Sequence, residues 1–222
     1  MSNKLDVVGL SGLQFFGQMT ASISHEIKNV FAIVNENAGL LEDFCLMVEK
    51  GTPLDPKRLK TLAGKVVSQV WRGDSIINNL NQFAHSIDNL ETQINLFEIL
   101  ELMVAISARL VSMRGLDLVL EQKSEKVNII NNQFILQNLM WRCLDFVMKA
   151  AGGGKTVTLA ACQTANGAQI IFTILDGFTE MIRDEFPAKR EQALIDMLES
   201  ELTIDLKAGK IILDLPAAIQ HK

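Results

Sequence analysis

The chain is 222 residues long, 48% hydrophobic and 21% charged, with a formal net charge of -5. That length suits one large domain or two small ones, and the composition is that of a soluble protein able to build a core. The acidic balance argues against nucleic acid as the main partner. The three cysteines, Cys45, Cys143 and Cys162, form no C-x-x-C pair, so neither a disulfide framework nor a zinc site is expected, and the thiols suit a reducing, cytoplasmic setting.

Met1 to Leu10 contain no long apolar core, so no signal peptide is expected there. No apolar run approaches the roughly 20 residues that cross a bilayer, so no membrane insertion is expected. The first helix is predicted over Ser11 to Glu49. Phe16, Ile23, Val30 and Phe44 mark one rail, and Ile27, Val34, Leu41 and Val48 the other. Such alternation is the seam of a helical bundle. His25 falls two positions after Ile23, between the rails, and should face solvent. An exposed histidine beside a carboxylate, Glu26, suits a nucleophile or proton carrier. The zinc-protease pattern H-E-x-x-H fails here, because the fifth position is Asn29 and a neutral amide is a poor zinc ligand.

The stretch Ser22-Ile23-Ser24-His25-Glu26-Ile27-Lys28-Asn29 resembles the phospho-acceptor box of the dimerisation and histidine-phosphotransfer domain of sensor histidine kinases, which reads H-E-x-x-N among apolar residues. His25, Glu26 and Asn29 match it residue for residue. Ala32, Ala38, Leu40, Leu41 and Asp43 fit the downstream helix of that family. The resemblance implies that His25 is the phospho-acceptor, and that Glu26 holds the proton of its second ring nitrogen. Asn29 then orients water or the incoming phosphoaspartate, or is simply a solvated helix residue. Members of that family are mostly membrane-anchored with an input module. Here the histidine helix begins close to residue 1, and no such module is expected ahead of it.

Gly51-Thr52-Pro53-Leu54-Asp55-Pro56 breaks the helix and opens the next. Leu59, Leu62, Val66, Val70, Ile77, Leu80, Phe83 and Ile87 then give a second seam-spaced helix, so residues 1–90 form an antiparallel hairpin. A lone hairpin leaves an apolar stripe exposed. Pairing two hairpins buries it, which predicts a homodimer around a four-helix bundle, with Asn37 fixing register on the seam. The end of this helix, with Leu80 and Phe83, also resembles the second helix of the family. His85, without a box or an acidic neighbour, reads as a surface or interface residue.

Residues 91–222 change texture. A helix is expected over Ile94 to Val111, a strand over Leu116 to Leu120, and a short strand over Val127 to Ile130. A strongly apolar helix follows over Phe134 to Ala151. Thr156 to Cys162 and Gln169 to Leu175 read as strands joined at Ala165-Asn166-Gly167. A helix over Arg183 to Ser200 precedes a last hairpin of Leu202 to Leu206 and Lys210 to Leu215. The fold class is therefore α+β, a helical hairpin followed by an α/β sandwich with helices on one face of a mixed sheet. Gly152-Gly153-Gly154-Lys155-Thr156 is no P-loop, because position 149 is Lys and the glycines follow a helix instead of preceding one.

This order of elements resembles the ATP-binding domain that follows the hairpin in sensor kinases. That resemblance implies ATP and Mg2+ as cofactors, held by an N-box of the form N-L-L-x-N-A-x-K and by a D-x-G-x-G box. Aligned on Lys149, the chain reads Arg142-Cys143-Leu144-Asp145-Phe146-Val147-Met148-Lys149, without either asparagine. The second box reads Asp176-Gly177-Phe178-Thr179-Glu180, which keeps Asp176 as the residual adenine ligand but has Phe178 and Glu180 in place of both glycines. No glycine-rich lid follows. The reading is thus of a degenerate kinase-like ATPase domain with no cofactor of its own. It is closest to dimeric phosphorelay histidine phosphotransferases, whose partner is a response-regulator receiver domain. Two alternatives stay open: an ATP-dependent sensor kinase with a divergent nucleotide site, and a non-enzymatic module that docks receivers.

Overall fold

The structure, a computed structural model, describes residues 2–121, 126–151, 156–174, 186–205 and 207–219. The first helix, α1 (Ser2–Glu49), begins nine residues before the expected Ser11 and runs for 48 residues. Helix propensity alone does not hold the added turns. They are held because Val8 packs against the buried cluster and, just after them, Ser11 and Gly12 meet Asn138 and Phe134, since most helical stability comes from packing. Gly51 takes a φ of 86° and ends the helix, as a left-handed cap requires. Asp55 then caps α2 (Pro56–His85), its Oδ1 accepting from the Lys57 amide at 2.9 Å.

A short strand that the sequence pattern does not signal, β1 (Thr92–Asn95), precedes α3 (Leu96–Ser112). Helix α3 therefore starts two residues later than expected. The reason is local: Asn95 adopts an extended conformation and its side chain accepts from the Phe97 amide, an N-cap that fixes the boundary. Next come β2 (Asp117–Leu120), β3 (Asn128–Asn131) and α4 (Gln133–Ala151). The hairpin β4 (Thr156–Gln163) and β5 (Gly167–Ile174) closes through Thr164, whose amide donates to Gly167 O at 2.8 Å. Gly167 has no substitute there, since a Cβ would collide with the Leu215 carbonyl.

The helix expected over Arg183 to Ser200 is shorter. It is α5 (Lys189–Met197), and Phe186 to Ala188 lie outside it, while residues 183–185 lie outside the described residues. Pro187 explains the difference, because it lacks an amide hydrogen and pushes the residue before it out of helical conformation. The Glu191 carboxylate then accepts from the Ala188 amide at 3.1 Å and closes the first turn. The final hairpin is β6 (Glu201–Asp205) and β7 (Lys210–Pro216).

The larger sheet has the order β2-β4-β5-β7-β6, with β2 and β4 parallel and the other pairs antiparallel, and β1 pairs separately with β3. Burial alternates along β5 and β7, so one sheet face is covered, by α3 and α4. The mixed sheet with helices on one face stands as expected. What the sequence does not show is that one buried cluster continues from this sheet into the hairpin. It includes Phe15, Met19, Ile23 and Phe83 along with Trp141, Val157 and Ile170. Phe83 packs edge-on against Phe15 at 5.3 Å and stacks on Phe16 at 5.4 Å, and Phe134 of α4 closes the group. Polar contacts reinforce the seam. The Trp141 indole donates to Gln18 Oε1 at 3.2 Å, and the Asn138 amide donates to Ser11 Oγ at 3.2 Å. No helix among the described residues is long and apolar enough to cross a membrane.

Candidate functional site

Around the box, α1 buries Ser22, Ile23 and Val30 and leaves Ser24, His25, Lys28 and Asn29 exposed. The 3.6-residue period causes this split: residues 23 and 30 lie one heptad apart on the face toward α2, and residue 25 lies about 200° around from 23. His25 therefore offers its ring to solvent on a rigid helix far from either end. Asn29 stands one turn further along on the same side.

Glu26 is placed differently. Consecutive helix residues do not face each other, and the Glu26 carboxylate turns toward α2, with Oε2 3.7 Å from Arg72 Nη2. Gly73, the next residue on α2, is what brings the two helices so close. A Cβ there would lie 3.3 Å from Val30 Cγ1, so a larger residue would push α2 away from the box. Glycine inside a helix costs roughly 0.5–1 kcal/mol relative to alanine, a cost that this close approach explains. Neither Arg72 nor Gly73 is signalled by the sequence, because the pairing of residue 26 with residue 72 exists only once the hairpin register is set.

His85 differs from its sequence reading. It does have an acidic neighbour: Asp88, three residues on, has Oδ2 2.8 Å from His85 Nδ1, and both side chains are well exposed. The pair forms because the chain leaves α2 at Ser86 and turns Asp88 back over the last turn, with the Asp88 amide donating to the His85 carbonyl.

The second region of interest is the α4 segment aligned with the N-box. Asp145 is held twice, by Arg114 Nη2 at 2.6 Å and by Lys149 Nζ at 2.8 Å. Burial alone would raise its carboxyl, but hydrogen bonds from Lys149 and Arg114, and their charges, outweigh burial and hold it below the usual carboxylate range. Phe146 is buried and stacks on Phe186, with ring centroids 4.4 Å apart and an interplanar angle of 18°. The Arg142 Nε is buried without a partner among the described residues, and burial, aided by Arg190, lowers its guanidinium pKa. Cys143 is fully buried and burial pushes its thiol up, so it is an inert core residue.

These side chains do not fit Mg2+ and a triphosphate. Where the family pattern has amide oxygens for the metal, α4 presents the Arg142 guanidinium and the Phe146 ring, which is committed to a stack, and the neighbouring Asp145 carboxylate is already neutralised by two cations. Among the described residues no three His, Cys, Asp or Glu side chains cluster to hold a metal. Asp176 and the rest of the second box lie outside the described residues.

Asp145 gives a pH-dependent expectation. Its folded value lies below the unfolded one, so its ion pairs contribute stability that is full above about pH 4 and is lost as pH falls through the folded value. Asp145→Asn is expected to cost about 1 kcal/mol near neutrality, at the low end for charged hydrogen bonds because Lys149 is largely exposed. The gap to wild type should narrow as pH falls below the unfolded value of about 4 in urea titrations at several pH values; a pH-independent gap would assign the loss to packing.

No protein-family model matches this chain, and no curated protein matches it. Solved structures do. A nucleotide-free form of the catalytic domain of histidine kinase ThkA is similar over 58% of this chain and 96% of that domain, at 9% identity and a TM-score of 0.50. The Acinetobacter baumannii histidine kinase AdeS covers 87% of this chain and 98% of its own, at 11% identity and a TM-score of 0.49. ThkA in complex with the response regulator TrrA covers 92% of this chain and 63% of its own, at 15% identity and a TM-score of 0.48. At such identities a likeness establishes architecture and no more: the chain is a mixed α+β protein whose sheet has the fold of a histidine kinase catalytic domain.

Proposed function

We propose that this protein is a phosphoryl carrier of two-component signalling. In this reading His25 exchanges a phosphoryl group with the aspartate of a response-regulator receiver domain, without binding ATP itself. The observation that carries the reading is a contrast within one chain. The H-E-x-x-N histidine is exposed on a rigid helix, while the aligned N-box segment holds Phe146, stacked on Phe186, in place of an asparagine, beside a doubly paired Asp145. Phosphoryl exchange asks the carrier for an exposed imidazole and correct positioning. The receiver brings its own metal and carboxylates.

A second reading, an ATP-dependent kinase with a divergent pocket, draws on the likeness to the ThkA catalytic domain. Calorimetric titration with ATP and Mg2+, paired with incubation against a labelled, pre-phosphorylated receiver domain, separates the two. The carrier gives no ATP heat and acid-labile label taken from the receiver. Label taken directly from ATP restores the kinase. Label by neither route leaves a docking module.

The bundle surface supports a homodimer in the same proposal. Phe31, Val67, Val70 and Trp71 are exposed on the hairpin, Trp71 at 73%. Two such faces together bury the apolar stripe that a single hairpin leaves wet. Light scattering is expected to give twice the chain mass for wild type and a monomer for Trp71→Glu; a wild-type monomer would remove the four-helix bundle.

A further inference from the structure

We propose that Arg72 of α2 is the phosphoryl-binding residue of this site, parked on Glu26 until the phosphoryl group arrives. The inference rests on the reading of His25 as phospho-acceptor. Three observations lead to it. Arg72 is the cation that the hairpin brings to the box, its Nη2 lying 3.7 Å from Glu26 Oε2. Gly73 beside it admits the close helix approach that makes this possible, with Val30 Cγ1 3.3 Å from where a Cβ would stand. And the ion pair is loose: the distance exceeds hydrogen-bond length, and the Arg72 side chain is 49% exposed.

Magnitudes favour exchange. A half-exposed ion pair of this length contributes about 0–1 kcal/mol. A phosphoryl dianion offers a guanidinium two parallel, charge-assisted hydrogen bonds, which are shorter and stronger. The incoming group therefore draws Arg72 from Glu26 and frees that carboxylate.

In the transfer, the lone pair of His25 Nε2 attacks phosphorus while Nδ1 keeps its proton. The N–P bond forms, the P–O bond of the acyl phosphate breaks, and its electron pair leaves on the aspartate carboxylate. The ring becomes a phosphorylated imidazolium, and the freed Glu26 carboxylate balances its charge. The reverse step runs through the same contacts.

Radiolabelled phosphoramidate is a probe that needs no receiver. Attack by Nε2 breaks its P–N bond and releases ammonia. The full-length chain is incubated with it, and acid-labile label is counted in wild type, His25→Ala, Arg72→Gln and Arg72→Lys, with thermal midpoints measured alongside. Arg72→Gln is expected to lower the second-order rate of His25 labelling about tenfold, the equivalent of one charge-assisted hydrogen bond. It should also weaken competition by inorganic phosphate, which a purely structural role for Arg72 leaves unmoved. Arg72→Lys, which keeps the charge and loses the fork, should fall between the two, about threefold slower than wild type.

Label in wild type that Arg72→Gln does not slow would overturn the assignment of Arg72 and leave His25 standing. Absence of any label that His25→Ala removes would overturn the phospho-acceptor reading itself. Should Arg72→Gln unfold, Arg72→Lys decides: a folded lysine variant labelled at the wild-type rate, with competition by inorganic phosphate unchanged, overturns the bidentate role of Arg72.

Discussion

His25→Ala is expected to lower acid-labile label from a phosphorylated receiver at least about a hundredfold, to the background of a chain with no acceptor. The size follows from the chemistry. Nucleophilic transfer has no substitute path when the attacking nitrogen is gone, because Glu26 and Asn29 present oxygens whose phosphorylated products would not give a phosphoramidate. The three histidines, His25, His85 and His221, make the assignment tractable. His85 is the informative control: its ring is exposed and its Nδ1 is held by Asp88 at 2.8 Å, the tautomer that leaves Nε2 free. His85→Ala should leave the label at the wild-type level. If His85→Ala removed the label and His25→Ala did not, the acceptor would sit at the end of α2 and the box would be a relic. His25→Ala should leave thermal stability unchanged, since the side chain is exposed.

Phe83→Ala is the largest stability change the fold predicts, about 3–5 kcal/mol. Phe83 is fully buried, edge-on to Phe15, stacked on Phe16 and within 6.2 Å of the Phe134 ring. Removing it opens a cavity where α1, α2 and α4 meet, and aromatic contacts are lost beyond the simple transfer of area. Trp141 reports on this seam, because it is buried in α4 and its indole donates to Gln18 of α1. Urea unfolding followed by tryptophan fluorescence should show the midpoint fall while the hairpin and the sheet half still unfold together. A loss under about 1 kcal/mol, or two separated transitions, would mean that the two halves fold independently.

Much of the fold is legible in the sequence where the pattern is local. The hairpins β4–β5 and β6–β7 follow from alternating apolar residues around Asn166-Gly167 and Ala208-Gly209, since strand period and turn chemistry are short-range properties. The breaker at Gly51 to Pro56 is equally local. The misses have physical causes too. Strand β1 is four residues long and carries no readable period. The first turns of α1 are helical because Ser11, Gly12 and Phe15 are buried against α4, a contact with residues more than a hundred positions away. The expected long helix before the last hairpin is cut at Pro187, a local stop signal that stands among charged, helix-favouring residues.

For the candidate site, the sequence by itself determined which residues α1 presents. His25, Glu26 and Asn29 sit at fixed offsets on one helix, and helical period alone sends His25 away from the seam. Only the tertiary structure decided the partner of Glu26. Helix α2 arrives antiparallel, and its register sets Arg72 opposite position 26, with Gly73 permitting the approach. The same holds for α4: the absence of asparagines at the aligned positions is visible in the letters, but the stack of Phe146 on Phe186 and the pairing of Asp145 with Arg114 join residues 40 and 31 positions apart. The physical reason is range. Covalent spacing fixes which groups share a helix face, whereas contacts between elements depend on how their apolar faces pack, and no local pattern encodes that register.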